Sequence, residues 1–184
     1  MAPQLIILQG GEDVKKRTNE SLIKKVREIS VSKKIMVIPW STNSREQELE
    51  YRPIFNKYFS DNGFLEVQFL EKEDDEGETV KKFDMVDVVY LPGRDPGILY
   101  KELKKRSLQN MLKNFGGIII GNSAGAIVLS KGARTGEQFH PVFGLVDFFI
   151  SVHYSMVRSP NDGNDEKINV NIPEDMWITV TGKS

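Results

Sequence analysis

Five short apolar runs punctuate the first two thirds of the 184-residue chain: Leu5–Leu8, Ile35–Ile38, Leu65–Leu70, Val86–Leu91 and Gly117–Ile120. Each has strand length, most are rich in β-branched residues, and strands of a parallel sheet buried on both faces read as runs of this kind. Between them lie amphipathic stretches. Leu22, Ile23, Val26 and Ile29 recur at helical spacing, as do Tyr51, Ile54, Phe55, Tyr58 and Phe59, which Asp61-Asn62-Gly63 stops. A third helical stretch carries Leu99, Leu103, Leu108, Met111, Leu112 and Phe115. The alternation predicts an α/β fold with a doubly wound, mainly parallel, flavodoxin-like sheet, helices on both faces and active residues at the strands' carboxyl ends. The acidic run Glu71–Glu78 reads as a solvated loop without chemistry. After Ser130 the pattern loosens, with turn-rich stretches around Gly132–Gly136 and Ser159–Asp165. The expectation is one domain over residues 1–184 with an irregular last third.

Composition narrows the function classes. The chain holds 25 basic and 26 acidic residues, a net charge of −1, and its lysine pairs are spread along the sequence. A phosphate-tracking surface needs a clustered basic excess, so no nucleic-acid partner is expected. With no cysteine, disulfides and thiolate chemistry are excluded. The start lacks a basic leader and no apolar run has membrane-spanning length, which leads to a cytoplasmic expectation with no membrane partner. The sequence points to no cofactor and no metal. Glu137-x-x-His140 lacks the second copy that a carboxylate-bridged site needs. Gly10-Gly11 reads as a turn, since no G-x-G-x-x-G is present, and the glycine that Thr181-Gly182-Lys183-Ser184 would need upstream falls at Trp177. Trp40, after Ile38-Pro39, suits a pocket or the core equally.

The chemistry concentrates in Phe115-Gly-Gly-Ile-Ile-Ile-Gly121-Asn122-Ser123-Ala124-Gly125-Ala126, where G-x-S-x-G follows a buried-strand signature and precedes a helix-compatible run. That context fits a nucleophile elbow, whose serine stands exposed on a strained turn and needs small neighbours. Gly121, Ala124, Gly125 and Ala126 meet that need, and the Ala124 amide near the helix start can donate to an oxyanion. The base must come from His140 or His153, the two histidines of the chain. His153 closes the apolar run Phe148–Val152 and could project from a strand end, whereas His140 sits in the loop-like Gln138-Phe-His-Pro141. For the group that orients the base, Asp147, Asp162, Asp165, Glu166, Glu174 and Asp175 all remain open.

Gly121–Ala126, Val152-His153-Tyr154 and Ile172-Pro-Glu174-Asp-Met-Trp177-Ile, with Leu91-Pro-Gly93-Arg94-Asp95 after the fourth strand run, resemble the peptidase E family. That family of serine peptidases includes aspartyl dipeptidases and cyanophycinases, and its fold is similar to class I glutamine amidotransferase domains. The resemblance implies Ser123 as nucleophile, His153 as base and Glu174 as orienting acid. It further implies backbone donors at Gly93 and Ala124 for the oxyanion, and a small peptide as substrate.

The sequence departs from the family in three places. Gly93-Arg94-Asp95 stands where the family usually reads Gly-Gly-Asn, so a side chain at position 94 is expected to crowd that oxyanion donor. No arginine occurs in Asn164–Ile168, where the aspartyl dipeptidases bind the substrate carboxylate, so a strict need for N-terminal aspartate is not expected. The chain ends at Ser184, soon after Glu174, which reads as a shortened member or a fragment of a longer product. Candidate substrate contacts are Arg94, Asn122, Arg158 and Lys167. The expected function is peptide hydrolysis through an acyl-enzyme. The alternative class is a non-catalytic relative that binds a small ligand or a protein partner. The sequence sets no oligomeric state.

Overall fold

The computed structural model describes residues 5–135, 138–154 and 169–181. Its larger sheet has the order β10-β1-β5-β4-β2-β3. The apolar runs supply β1 (Leu5–Gln9), β2 (Lys34–Val37), β3 (Glu66–Phe69), β4 (Val88–Leu91) and β5 (Ile118–Asn122), all mutually parallel. The tenth strand, β10 (Trp177–Thr181), adds antiparallel to β1, from Leu5 opposite Thr181 to Gln9 opposite Trp177.

Side chains alternate across a strand, and the two cores follow that period of two. Ile7, Ile35, Val37, Val88, Tyr90, Ile118 and Ile120 face α1 (Glu20–Ile29) and α2 (Arg45–Asp61). Ile6, Leu8, Met36, Val89, Leu91 and Ile119 face the opposite cluster. There they meet α3 (Glu76–Asp84), α4 (Pro96–Lys105), α5 (Leu108–Asn114) and α6 (Ala124–Leu129). Each such fully buried aliphatic side chain contributes about 1.5–3 kcal/mol. The mostly parallel sheet with helices on both faces is the architecture expected.

Four readings need correction. The acidic run is not wholly a loop: Asp75 caps α3 by accepting from Glu78 N–H, Glu71 pairs with Arg52, and Asp74 takes Lys82 at 2.5 Å. The third helical stretch is two helices, because Ser107 takes a left-handed conformation with φ 56°. Arg106 holds that break, reaching the Lys72 carbonyl at 3.0 Å and lying over the Trp40 ring. The last third is not irregular throughout. A second sheet, in the order β7-β6-β8-β9, joins β6 (Gly132–Thr135), β7 (Gln138–His140), β8 (Phe149–Tyr154) and β9 (Asn169–Pro173). Trp40 belongs to the core, buried with its indole N–H donating to the Leu70 carbonyl. Ile29, read as part of the buried face of α1, is 59% exposed.

Asp87 ties the α1–β2 connection to the start of β4. Its carboxylate accepts from the hydroxyls of Ser30 and Ser32 and from the backbone N–H groups of Val31 and Ser32. Burial pushes its pKa up, but these hydrogen bonds, those of Ser32 foremost, outweigh burial and hold it below the usual carboxylate value. Asp87→Ala should therefore cost about 2 kcal/mol at neutral pH, the order of losing charge-assisted hydrogen bonds. A depressed folded pKa gives stability that is present above the unfolded value of about 3.9 and lost as pH falls through the folded value. Urea midpoints of wild type and variant should thus converge in acid; a gap that persists at low pH would show that lost packing, not the carboxylate, is responsible.

Candidate active site

Neighbouring strands that send their helices to opposite faces open a crevice at their carboxyl ends. That occurs between β1 and β5 and again between β2 and β4, and a cleft of about 330 Å³ lies there. Its walls come from the loops after four strands: Gly11 and Glu12 after β1, Ser41 and Thr42 after β2, Gly93 and Arg94 after β4, Asn122 and Ser123 at the end of β5.

Ser123 stands between β5 and α6 with φ 46° and ψ −97°, a region L-residues rarely occupy. The flanking glycines are needed because chain passes close to both. A Cβ on Gly121 would stand 2.6 Å from Ala126 N, and one on Gly125 would stand 2.3 Å from the Leu91 carbonyl oxygen. The turn directs Ser123 Oγ to 2.6 Å from His153 Nε2.

His153 reaches that position through a β-bulge. The β8–β9 register shifts between Val152 and Tyr154, and His153 itself has φ 54°. Bulges re-aim side chains beside functional sites, and this one turns the imidazole toward Ser123. The other ring nitrogen, Nδ1, lies 3.0 Å from Glu174 Oε1. Glu174 occupies the turn between β9 and β10, closed by Met176 N–H donating to the Pro173 carbonyl, with Asp175 at φ 58°. The structure therefore brings Ser123, His153 and Glu174 into one hydrogen-bonded chain. His140 lies elsewhere, opposite Ala133 in the second sheet. Asp147 pairs with Lys131 at 2.6 Å. Asp162, Asp165, Glu166, Arg158 and Lys167 lie outside the described residues.

Gly93 packs directly against the serine: a Cβ there would be 3.4 Å from Ser123 Cβ. The side chain at position 94 does not crowd this contact. Arg94 adopts φ 114° and turns away, donating to Gln47 Oε1 and lying over the Tyr51 ring. Asp95 caps α4 through Ile98 N–H, and Ser41 Oγ donates to the Gly93 carbonyl at 2.6 Å, which fixes the loop from both sides. Arg94 is the one Lys or Arg among the described residues that line the cleft. Asn122 is buried in its wall and donates through Nδ2 to the Glu12 carbonyl at 3.4 Å.

Sequence reasoning missed Glu12 and the part played by Gly10-Gly11. The Glu12 carboxylate accepts from Tyr58 Oη, from Gln9 Nε2 at 3.0 Å and from Tyr90 Oη at 3.4 Å. Burial raises its pKa, against the lowering effect of those donors. Burial also raises the pKa of both phenols, so they stay protonated and able to donate. The rule that α/β sites form at strand carboxyl ends places the loop after the first strand near the site, but it names neither Glu12 nor its partners, which depend on sheet order.

The fold is of α/β architecture, with a cleft at the carboxyl ends of its parallel strands. Peptidase family S51 matches residues 5–183, and the chain belongs to that family, which makes it a peptidase acting on peptide substrates. No curated protein matches the chain. Among solved structures it is similar to a peptidase from an acI-B1 actinobacterium, with a TM-score of 0.71 and 20% identity over 97% of this chain and 83% of that one. It is also similar to a peptidase E protein from Listeria monocytogenes EGD-e, with a TM-score of 0.71 and 20% identity over 100% of this chain and 96% of that one. At that identity the likeness speaks for the fold. Among the described residues no helix is long and apolar enough to cross a membrane, and no group of three His, Cys, Asp or Glu could hold a metal ion.

Proposed function

We propose that this protein is a serine peptidase that cleaves small peptides through an acyl-enzyme on Ser123. The observation that carries the reading is the 2.6 Å contact from Ser123 Oγ to His153 Nε2, continued by the 3.0 Å contact from Nδ1 to Glu174. With the imidazole proton on Nδ1, donated to Glu174, Nε2 is free to take the proton of Ser123 as Oγ bonds to the substrate carbonyl carbon. The resulting oxyanion takes hydrogen bonds from the backbone N–H groups of Gly93 and Ala124; one such donor is worth about 2.7–4 kcal/mol in related chemistry. The imidazolium then protonates the leaving amine as the C–N bond breaks. Water, deprotonated by the same nitrogen, hydrolyses the ester and frees the serine.

A cleft of about 330 Å³ suits a peptide of two or three residues. Arg94 and Asn122 are its substrate contacts in this reading, and Arg158 and Lys167 are further candidates. A cytoplasmic setting belongs to the same proposal, in keeping with a chain that has no cysteine.

A diphenyl phosphonate probe should label wild type at Ser123 and leave Ser123→Ala unlabelled. A dipeptide library should show hydrolysis of neutral X-X substrates at rates comparable to Asp-X. Absence of both labelling and hydrolysis would replace the peptidase reading with that of a non-catalytic relative. Exclusive cleavage of Asp-X would overturn the relaxed specificity and direct attention to Arg94.

A further inference from the structure

Three consecutive carbonyls, one at the end of β1 and two in the loop after it, hold the three parts of the candidate site. Gln9 C=O accepts from Ser123 N–H at 3.0 Å, Gly10 C=O from His153 N–H at 3.0 Å, and Gly11 C=O from Asp175 N–H at 2.8 Å. Asp175 adjoins Glu174, and Gly10 N–H donates in turn to the Met176 carbonyl at 3.0 Å, which closes the acid-bearing turn against the same loop. The imidazole rests on Gly11, where a Cβ would stand 2.7 Å from His153 Cε1 and 2.8 Å from Nδ1. A shift of this tripeptide therefore moves nucleophile, base and acid relative to one another. What holds the tripeptide is the next residue. Glu12 accepts from the Gln9 side chain, from Tyr58 on α2 and from Tyr90 on β4 through its carboxylate, and receives Asn122 on its own carbonyl.

We infer that Glu12 is the positioning residue of the peptidase site, pinning the Gln9-Gly10-Gly11 loop so that its carbonyls set the spacing of Ser123, His153 and Glu174. The inference rests on the peptidase reading of those three residues. Although Glu12 lines the cleft, its carboxylate is taken up by Gln9, Tyr58 and Tyr90, so it acts through the backbone it anchors and not in proton transfer. Each of its side-chain donors is a neutral group on a different element, so the carboxylate is the single atom group that α2, β4 and the β1 end share. Misplacement of catalytic groups by about 1 Å is enough to lower a rate about 100-fold.

Glu12→Gln keeps the shape of the side chain while replacing one acceptor oxygen by a donor. It should lower kcat by about 10- to 100-fold with KM within about twofold of wild type, because geometry and not substrate affinity is lost. Tyr58→Phe, which keeps the carboxylate and removes one donor, should lower kcat in the same direction by a smaller factor, and it carries the test if Glu12→Gln does not fold. The chain has only two histidines, so NMR can follow each. Read from the imidazole nitrogen shifts, the Nδ1–H signal of His153 should dominate in wild type and give way to a mixture of tautomers in Glu12→Gln, with the His140 resonances unchanged. A raised KM at unchanged kcat would make Glu12 a substrate contact, and an unchanged kcat or an intact Nδ1–H signal would remove its positioning role; each overturns the inference. If wild type neither hydrolyses peptides nor labels with the phosphonate, the functional reading fails, while the Nδ1–H signal still decides whether Glu12 holds the three side chains together.

Discussion

His153→Ala should lower kcat/KM by about a million-fold, the scale on which loss of the base in a serine triad falls, whereas His140→Ala should leave it within about twofold. Geometry makes the difference. His153 Nε2 stands 2.6 Å from Ser123 Oγ, and the bulge at His153 commits the ring to that direction. His140 belongs to the edge strand β7 and contributes nothing to the cleft wall. The two substitutions remove the same functional group from the same small sheet, so a loss of stability through that sheet would affect both variants. Turnover separates them. The measurement is kcat/KM on a cleaved dipeptide, with thermal melts as the control for folding. Equal losses in both variants, with equal loss of melting temperature, would mean that the second sheet's integrity and not the imidazole is responsible. Retained turnover in His153→Ala would remove it as the base.

The large sheet was readable because its four central strands are buried on both faces. Leu5–Leu8, Val86–Leu91 and Gly117–Ile120 leave no other state for so many adjacent apolar residues, and each sits in a strand within one or two residues of the expected limits. The second sheet lacks that signature. Only Phe148–Val152 reads as an apolar run there; the other strands are three to five residues long, one is Gln138–His140, and β9 ends in a proline, so local pattern could not separate those from turns. The helix break at Ser107 was hidden for a similar reason, since the apolar spacing runs on through Leu103 and Leu108 without interruption.

The candidate site divides along the same line. The elbow was legible because a strained turn restricts its neighbours to small residues, and that restriction is written in Gly121, Ala124, Gly125 and Ala126. His153 was legible as the end of an apolar run, though not its bulge. Glu174 was one of six possible acids by chemistry alone and was singled out only by resemblance. Glu12 and Gly10-Gly11 were not legible, because their part depends on sheet order. β1 lies between β5 and β10, so the loop after it runs between the nucleophile and the acid-bearing turn. Nothing local in Gln9-Gly-Gly-Glu12 records which strands lie on either side.

Glu174→Gln should cut kcat/KM by about 100- to 1,000-fold while leaving the fold intact, a smaller effect than the roughly 10,000-fold seen when a buried orienting acid is replaced. The reduction in scale follows from exposure. The Glu174 side chain is 70% and the His153 side chain 49% accessible to solvent, so water can partly replace the lost carboxylate and screens its charge. Exposure does not make the residue loose. Five paired residues of β10 follow the turn, β9 precedes it, and Gly11 C=O holds the adjoining Asp175 N–H. What the carboxylate supplies is a choice of tautomer. As an acceptor without hydrogen it favours the proton on Nδ1, which leaves Nε2 able to receive the serine proton. An amide at 174 can present its N–H₂ group to Nδ1, and the proton then sits on Nε2, where it blocks the base. Glu174→Gln should therefore lower kcat more than it raises KM, and label more slowly with the phosphonate by a similar factor. Glu174→Asp, one methylene shorter, should recover only part of the loss. Wild-type turnover and labelling in Glu174→Gln would show that water alone orients His153, and Asp175, the neighbouring acid in the same turn, would be the next to replace.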